Sequence, residues 1–241
     1  MALAAGAAHG AARPRATQRE LPRLALLGAE VLAEGLRITA AGLAPLSIGN
    51  DAPHQPRRVH IWRDTCAAVD FGDEIAATLS HWLGSPCRLV RFDPAERRLS
   101  EARYRGEVEA SNAFSDGYPL LLLSEASRRD LCARVGRELP MNRFRPNIVL
   151  EGLDAYDEDQ LHELQQGDVV LRVVKACTRC IITTTDQQHG TRDGAEPLHT
   201  LKTYRYDAAL GGVCFGQNLV IVRGTGSTLT VGAELQLRWR D

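Results

Sequence analysis

Turn-forming residues recur so often along this chain that few of its apolar runs can be helices, and this narrows the fold more than anything else. Gly28, Gly35, Gly42 and the cluster Gly49-Asn50-Asp51-Ala52-Pro53 divide the first third into short pieces. Between those breaks residues 24–27, 36–40 and 58–62 read as strands, and residues 66–71 as another. One segment departs from the pattern. Ile75, Leu79 and Leu83, with Ala76 and Trp82, recur at helical spacing, so a helix is predicted over Asp73–Leu83, ended by Gly84. Cys87–Phe92 returns to strand. Residues 93–115 are charged and aperiodic, a long loop whose Arg97, Arg98, Arg103 and Arg105 are expected to be solvated.

Residues 119–123 form an apolar strand ending in Ser124, a good N-cap for a helix running to about Val135. Residues 147–150 are a further strand. Residues 153–166 carry Asp154, Asp157, Glu158, Asp159 and Glu163 and are expected to be partly helical with a solvated acidic face. Residues 169–176 and 181–185 are strands on either side of a cysteine pair, 189–197 a polar loop, and 218–222, 228–231 and 234–239 closing strands. The predicted class is α+β, mainly β: a β-barrel with peripheral helices.

The cysteine pair lies in Lys175-Ala176-Cys177-Thr178-Arg179-Cys180-Ile181. Arg179 directly precedes Cys180, and a neighbouring guanidinium favours thiolate, the form that attacks or binds metal. Cys180 is therefore the first candidate. Simple packing stands beside that reading, since free cysteine is often just buried. A redox disulfide or half a zinc site also fits a lone C-x-x-C. The β-branched residues 181–185 take the chain away as a strand, which counts against a redox motif opening a helix. Cys214, His189 and His199 lie downstream without metal-ligand spacing, which counts against zinc.

A net charge of −1, from 29 Lys and Arg against 30 Asp and Glu, gives no basic surplus for nucleic acid. No apolar run approaches the roughly 20 residues that span a bilayer. Six scattered cysteines in 241 residues read as reduced, cytoplasmic thiols rather than a disulfide framework. Residues 1–16 are Ala-rich and acid-free, basic like a transit peptide but without the apolar core of a secretory signal. They are expected to be a disordered or non-native start.

Read with Arg145-Pro146-Asn147 upstream and Phe215-Gly216-Gln217-Asn218 downstream, the stretch from Lys175 to Asp186 resembles the MOSC domains. The nearest group is the mitochondrial amidoxime-reducing component and its bacterial YcbX-type relatives, and the resemblance runs from about Thr17 to Gly232. It implies a partial N-terminal β-domain over 17–115 and a MOSC domain over 116–241. In the family, further strands carrying a Lys-Ser pair and an arginine precede the segment matched by residues 17–24, and residues 1–16 match none of them.

The resemblance also implies a molybdenum–pterin cofactor (Mo-molybdopterin), with Cys180 as the protein ligand to molybdenum and the catalytic cysteine. Cys177 falls on a family position that is not the ligand and reads as core. One thiolate suits a metal already held by soft cofactor sulfurs better than an all-protein cage. Arg145 and Asn147 match cofactor-contacting positions, where an arginine fork suits phosphate. Thr178 and Arg179 match contacts beside the ligand. Asp116, Gly117 and Tyr118 match a pterin-contacting loop, with Gly117 and Tyr118 replacing hydroxyl residues. Asp186 and Asn218 orient the site loop or bind substrate, with turn-capping as the alternative for both. The implied reaction is reduction of N-hydroxylated or N-oxygenated small molecules, amidoximes and N-hydroxylated bases among them. Electrons would come from a separate ferredoxin-, flavodoxin- or cytochrome-type donor. Pyridoxal phosphate binding is a further property associated with the family. The alternatives are a non-catalytic cofactor carrier or inactive remnant, and a sulfur carrier through a Cys180 persulfide.

Overall fold

The computed structural model describes residues 2–5, 13–50, 52 and 55–240. The chain divides into two compact units, residues 1–97 with 185–192, and residues 98–184 with 193–241. The sequence placed a boundary at 115/116, the end of the charged loop 93–115; the break between the units lies inside that loop.

In the first unit, β1 (Ala2–Ala5), β2 (Arg13–Pro14), β3 (Gly28–Leu32), β4 (Gly35–Ala40), β5 (Leu43–Gly49), β6 (Gln55–Ile61), β7 (Asp64–Asp70) and β8 (Cys87–Phe92) build two sheets. One is ordered β1-β8-β7-β6-β2 and the other β3-β4-β5. β1 pairs antiparallel with β8, so part of the stretch expected to be unstructured is strand; residues 6–12 lie outside the described residues. Helix α1 (Asp73–Leu83) has the expected bounds. Ala76, Leu79, Trp82 and Leu83 face inward, and Gly84 ends the helix at φ 71 with its N–H on Ser80 O. The core gathers Leu36, Ile38, Ile48, Phe71, Leu79, Trp82 and Leu89. Gly35 is required where β4 meets β5, because a Cβ there would lie 2.0 Å from Ile48 O.

A strand was expected over residues 24–27, but residues 22–26 form a 3-10 turn. Pro22 fixes the first φ and Leu24 N–H closes on Leu21 O at 3.0 Å. A buried ion cluster lies at the end of β7. Asp70, fully buried, meets Arg88 Nε and Nη2 and lies 2.5 Å from Arg57 Nε. Burial alone would raise the Asp70 carboxyl, but hydrogen bonds from Arg88 and Gly72 N–H and the Arg57 charge together hold it below its ordinary value.

The second unit begins with a short helix, α2 (Ala102–Arg105), inside the loop that was expected to be irregular. Its arginines are not simply solvated. Arg98 is buried and donates to Ala113 O, Ser115 O and Asp116 O, while Arg105 donates to Ser100 O and Val108 O. Backbone carbonyls without ladder partners draw these guanidinium groups inward. Then follow β9 (Leu120–Ser124), α3 (Glu125–Val135), β10 (Ile148–Leu150), β11 (Leu161–Gln166) and β12 (Val169–Thr178). The first-unit pair β13 (Thr185–Asp186) and β14 (Thr191–Arg192) interrupts the second unit. The chain continues through α4 (Leu198–Tyr204), β15 (Tyr206–Asp207), β16 (Gly212–Arg223) and β17 (Gln236–Trp239).

The main sheet of this unit is ordered β10-β9-β16-β12-β11-β17, with β15 also on β16. Leu122, Leu161, Leu164, Leu171, Val173 and Leu219 fill its concave side, and the class is α+β, mainly β, as expected. Residues 228–231 make no strand. The acidic stretch is partly turned inward: Glu158 is buried and accepts from Ser124 N–H, Ser124 Oγ and Ser127 Oγ. Alternating acidic residues look solvated in sequence, but three hydroxyl and amide donors at the start of α3 offset the desolvation of this one.

Candidate functional site

The long strand pair β12·β16 carries the candidate site. Its register shifts three times, the last between Ala176 and Thr178. Each such bulge bends a strand and re-aims its side chains. The final one delivers Cys177, Thr178, Arg179 and Cys180 to the strand end. There Arg179 N–H donates to Val213 O at 2.7 Å, and the ladder stops.

Beyond Cys180 the chain does not continue as a strand. Residues Ile181–Thr184 form a 3-10 turn. Thr183 N–H and Oγ1 both donate to Cys180 O, at 3.1 and 3.0 Å, and Thr184 Oγ1 donates to Ile181 O at 2.8 Å. Threonine hydroxyls returning to carbonyls three residues back override the β-propensity on which the strand expectation rested. Cys180 is half-buried, and no hydrogen bond to its Sγ forms among the described residues. Cys177 is half-buried rather than core. Its Sγ accepts from Arg179 Nη1 at 3.3 Å, a contact that holds it toward the loop. Cys214, on β16, is buried, and burial pushes its thiol up to about 11.

Arg179 joins two stretches far apart in sequence. Its Nη2 donates to Phe144 O at 2.6 Å, and the Phe144 ring packs tilted at 56° against Phe215 with centroids 4.9 Å apart. Arg145 follows Phe144. It is exposed and holds φ 57, a left-handed conformation that non-glycine residues rarely adopt. Asn147 is clasped to β9: Leu121 N–H donates to its Oδ1 at 2.9 Å, and its own N–H donates to Leu121 O at 2.8 Å. Its Nδ2 makes no hydrogen bond among the described residues. Arg145, Asn147, Thr178, Arg179 and Cys180 are thus linked within one unit.

The loop before β9 belongs to the same unit. Asp116 O accepts from Arg98 Nη2, which fixes the loop backbone. Tyr118 meets the ring of Tyr104 edge-on at 6.4 Å, and Lys175 Nζ lies 4.6 Å from the Tyr104 centroid. Burial holds the Tyr118 phenol above its ordinary value, and its hydroxyl is buried without a hydrogen-bond partner. Gly117 has open space where a Cβ would be. Asn218 sits on β16 opposite Lys175 and Leu121, its Nδ2 donating to Ala176 O at 3.5 Å. Gly216, two residues earlier, holds φ 78 at a place where a Cβ would come within 2.6 Å of Leu122 O.

Asp186 belongs to the first unit. Its carboxylate accepts from Gln188 N–H, His189 N–H and His189 Nδ1, and the His189 bonds hold it down to about 2. These bonds cap its own turn. Sequence reasoning missed Arg143, two residues before Arg145. Arg143 is buried and its Nη2 meets Asp193 at 2.8 Å, while Nε and Nη1 are buried without a hydrogen-bond partner among the described residues. No local pattern marks it, because Arg143 closes a 3-10 turn and is buried while Arg145 is exposed.

No group of three or more His, Cys, Asp and Glu among the described residues could hold a metal by itself. A cavity of about 250 Å³ touches Asn147 but is otherwise lined mainly by apolar side chains such as Val149, Leu171, Leu229 and Val231, and offers little to an anion.

The chain matches the family described as MOSC domain over residues 109–236, and MOSC N-terminal beta barrel domain over residues 12–86. The break at 97/98 falls between the two. Similar proteins include the mitochondrial amidoxime-reducing component 1 of Mus musculus, 39% identical over 196 residues, and that of Homo sapiens, 38% over 195. The mitochondrial amidoxime reducing component 2 of Rattus norvegicus is 36% identical over 197 residues. Each match covers 78% of this chain and 57 to 58% of the relative, so the chain spans less than two thirds of their length.

Proposed function

The chain belongs to the MOSC domain family, and on that premise we propose that it reduces N–O bonds of N-hydroxylated small molecules with a molybdenum–pterin cofactor. One observation carries the reading: Arg179 ties the Cys180 loop to the Arg145-Pro146-Asn147 loop, so a soft thiol and anion-binding donors share one unit.

The residues fit such a group. Among the described residues Arg143 keeps two buried N–H groups without partners, and Nδ2 of exposed Asn147 is uncommitted. Buried donors left unmet cost free energy that a phosphate or a pterin ring would offset. Cys180 makes no hydrogen bond through its sulfur among the described residues, and none of those residues forms a protein cage that would compete for the metal.

When bound, the cofactor would supply two-electron redox chemistry that the side chains themselves lack. The protein's own residues bind and orient. Cys180 is the protein ligand, held at the strand end by the Arg179 N–H to Val213 O bond and by the turn closed on its carbonyl. Arg145 and Asn147 Nδ2 meet the anionic part, with Arg143 behind them. Arg179 is a positioning residue, since its guanidinium is already engaged by Phe144 O and Cys177 Sγ. The net reaction takes an N-hydroxy compound, two electrons and two protons to the amine or amidine and water. The electrons come from a separate carrier.

The test is molybdenum and pterin content of protein from a cofactor-producing host, beside Cys180→Ser. Wild type should hold close to one metal per chain. The variant should lose turnover by more than about a hundredfold, beyond what outer-shell changes cost, while keeping its melting temperature. A folded wild type without metal, or a variant with metal and full turnover, sinks the assignment.

A further inference from the structure

The tip of the β6–β7 hairpin is built at a conformational cost. Register Ile61↔Asp64 leaves a two-residue turn, Trp62-Arg63. Trp62 holds φ 57, a position that such turns give to glycine or asparagine, and its side chain is 68% exposed. A bulky residue kept in a strained conformation and turned to solvent is a pointer to function.

The surroundings say what the indole faces. Val59 and Ile61 are buried, so alternation turns Arg58, His60 and Trp62 outward on one face. Arg58 Nη2 is fixed on Thr65 O at 2.9 Å and His60 Nδ1 lies 2.8 Å from Thr65 Oγ1. The Arg19 guanidinium stacks over Trp62 at 4.9 Å, Arg63 is exposed in the turn, and Arg15 N–H donates to His60 O. Against these cations stand two exposed carboxylates, Asp64 on the hairpin and Glu20 beside Arg19. In a chain of net charge −1 this is a local basic surplus around an aromatic anchor. Trp and Arg are the residue types most enriched in interface hot spots, and a basic face steers acidic partners.

We infer that Trp62, Arg58 and Arg63 form the docking face for an acidic electron-carrier protein. This rests on the reductase reading, whose reaction requires such a carrier; charge complementarity favours a carboxylate-rich one.

The test uses the full, cofactor-loaded chain with two reduced probes, an acidic [2Fe–2S] ferredoxin and an acidic soluble cytochrome. Binding is titrated at low and high salt, and turnover is measured with each carrier and with dithionite-reduced viologen. Arg58→Glu/Arg63→Glu should weaken binding of at least one carrier about tenfold or more and flatten its salt dependence. Trp62→Gly should do the same while its melting temperature holds or rises, because glycine relieves the positive φ. Viologen-driven turnover should not change in either variant, since a small donor needs no docking face. Equal carrier binding by wild type and variants overturns the inference. So does a loss that is as large with viologen, or capture of heparin or anionic vesicles in preference to both carriers. If wild type shows no viologen-driven turnover, the reductase reading fails, and the binding titration still decides the docking face.

Discussion

Arg179 shows how a residue beside a candidate ligand thiol can matter through position rather than charge. Its backbone N–H ends the β12·β16 ladder on Val213 O, and its guanidinium spans Phe144 O and Cys177 Sγ. A lysine would keep the charge but present a single point donor in place of the planar fork. Arg179→Lys should therefore lower cofactor affinity by about 10- to 100-fold, as outer-shell changes at metal sites do. Cofactor released per chain on dilution measures it, and full retention would mean that charge alone suffices. From sequence, Arg179 was visible only as a neighbour of Cys180. Its partner Phe144 lies 35 residues away, and no local pattern encodes that contact.

At the scale of elements, strands and helices followed their local chemistry where that chemistry was strong. Asp73–Leu83 and Glu125–Val135 were readable because periodic apolar residues and clear caps agree. Ser124 accepts from Ser127 N–H as an N-cap and also donates to buried Glu158. Ser124→Ala should cost about 1–2 kcal/mol, near the top of the range for cap removal because the Glu158 carboxylate also loses a donor. That should appear as a melting temperature lower by roughly 2–8 °C. A shift below one degree would mean that water replaces the hydroxyl. Elements went unread where side chains compete with the backbone. Residues 181–184 look like a strand by composition, yet the Thr183 and Thr184 hydroxyls close them into a 3-10 turn. Residues 228–231 carry three β-branched side chains too, but the Gln166 side chain takes up the Thr230 N–H and O in place of a strand ladder.

Over the whole molecule, carboxylates in both units are held below their ordinary values. Asp70 is held by arginine hydrogen bonds and charge against its own burial. Asp130 is lowered first by Arg134, Asp193 by Arg143 and Asp186 by His189. A lowered carboxylate stabilises the fold above its ordinary value and ceases to as pH falls through the folded value. Stability should therefore drop from about the ordinary 3.8 downward, with the Asp186 part lost near 2. The buried Cys87 and Cys214 thiols are raised, so their contribution is complete below 9.0 and is lost as pH climbs, to about 11 for Cys214. Urea midpoints from pH 7 down to 2 and up to 11 check both arms; a flat acid arm would mean the ion pairs persist in the unfolded chain. The sequence by itself determined the β-rich class, both long helices, the candidate thiol and the family, because these rest on short-range periodicity, caps and contiguous motifs. Only the tertiary structure decided which charges are buried, how the Cys180 and Arg145 loops meet, and that Trp62 stands exposed at a strained turn. Those outcomes depend on desolvation and on contacts between residues distant in the chain, which no local stretch of sequence specifies.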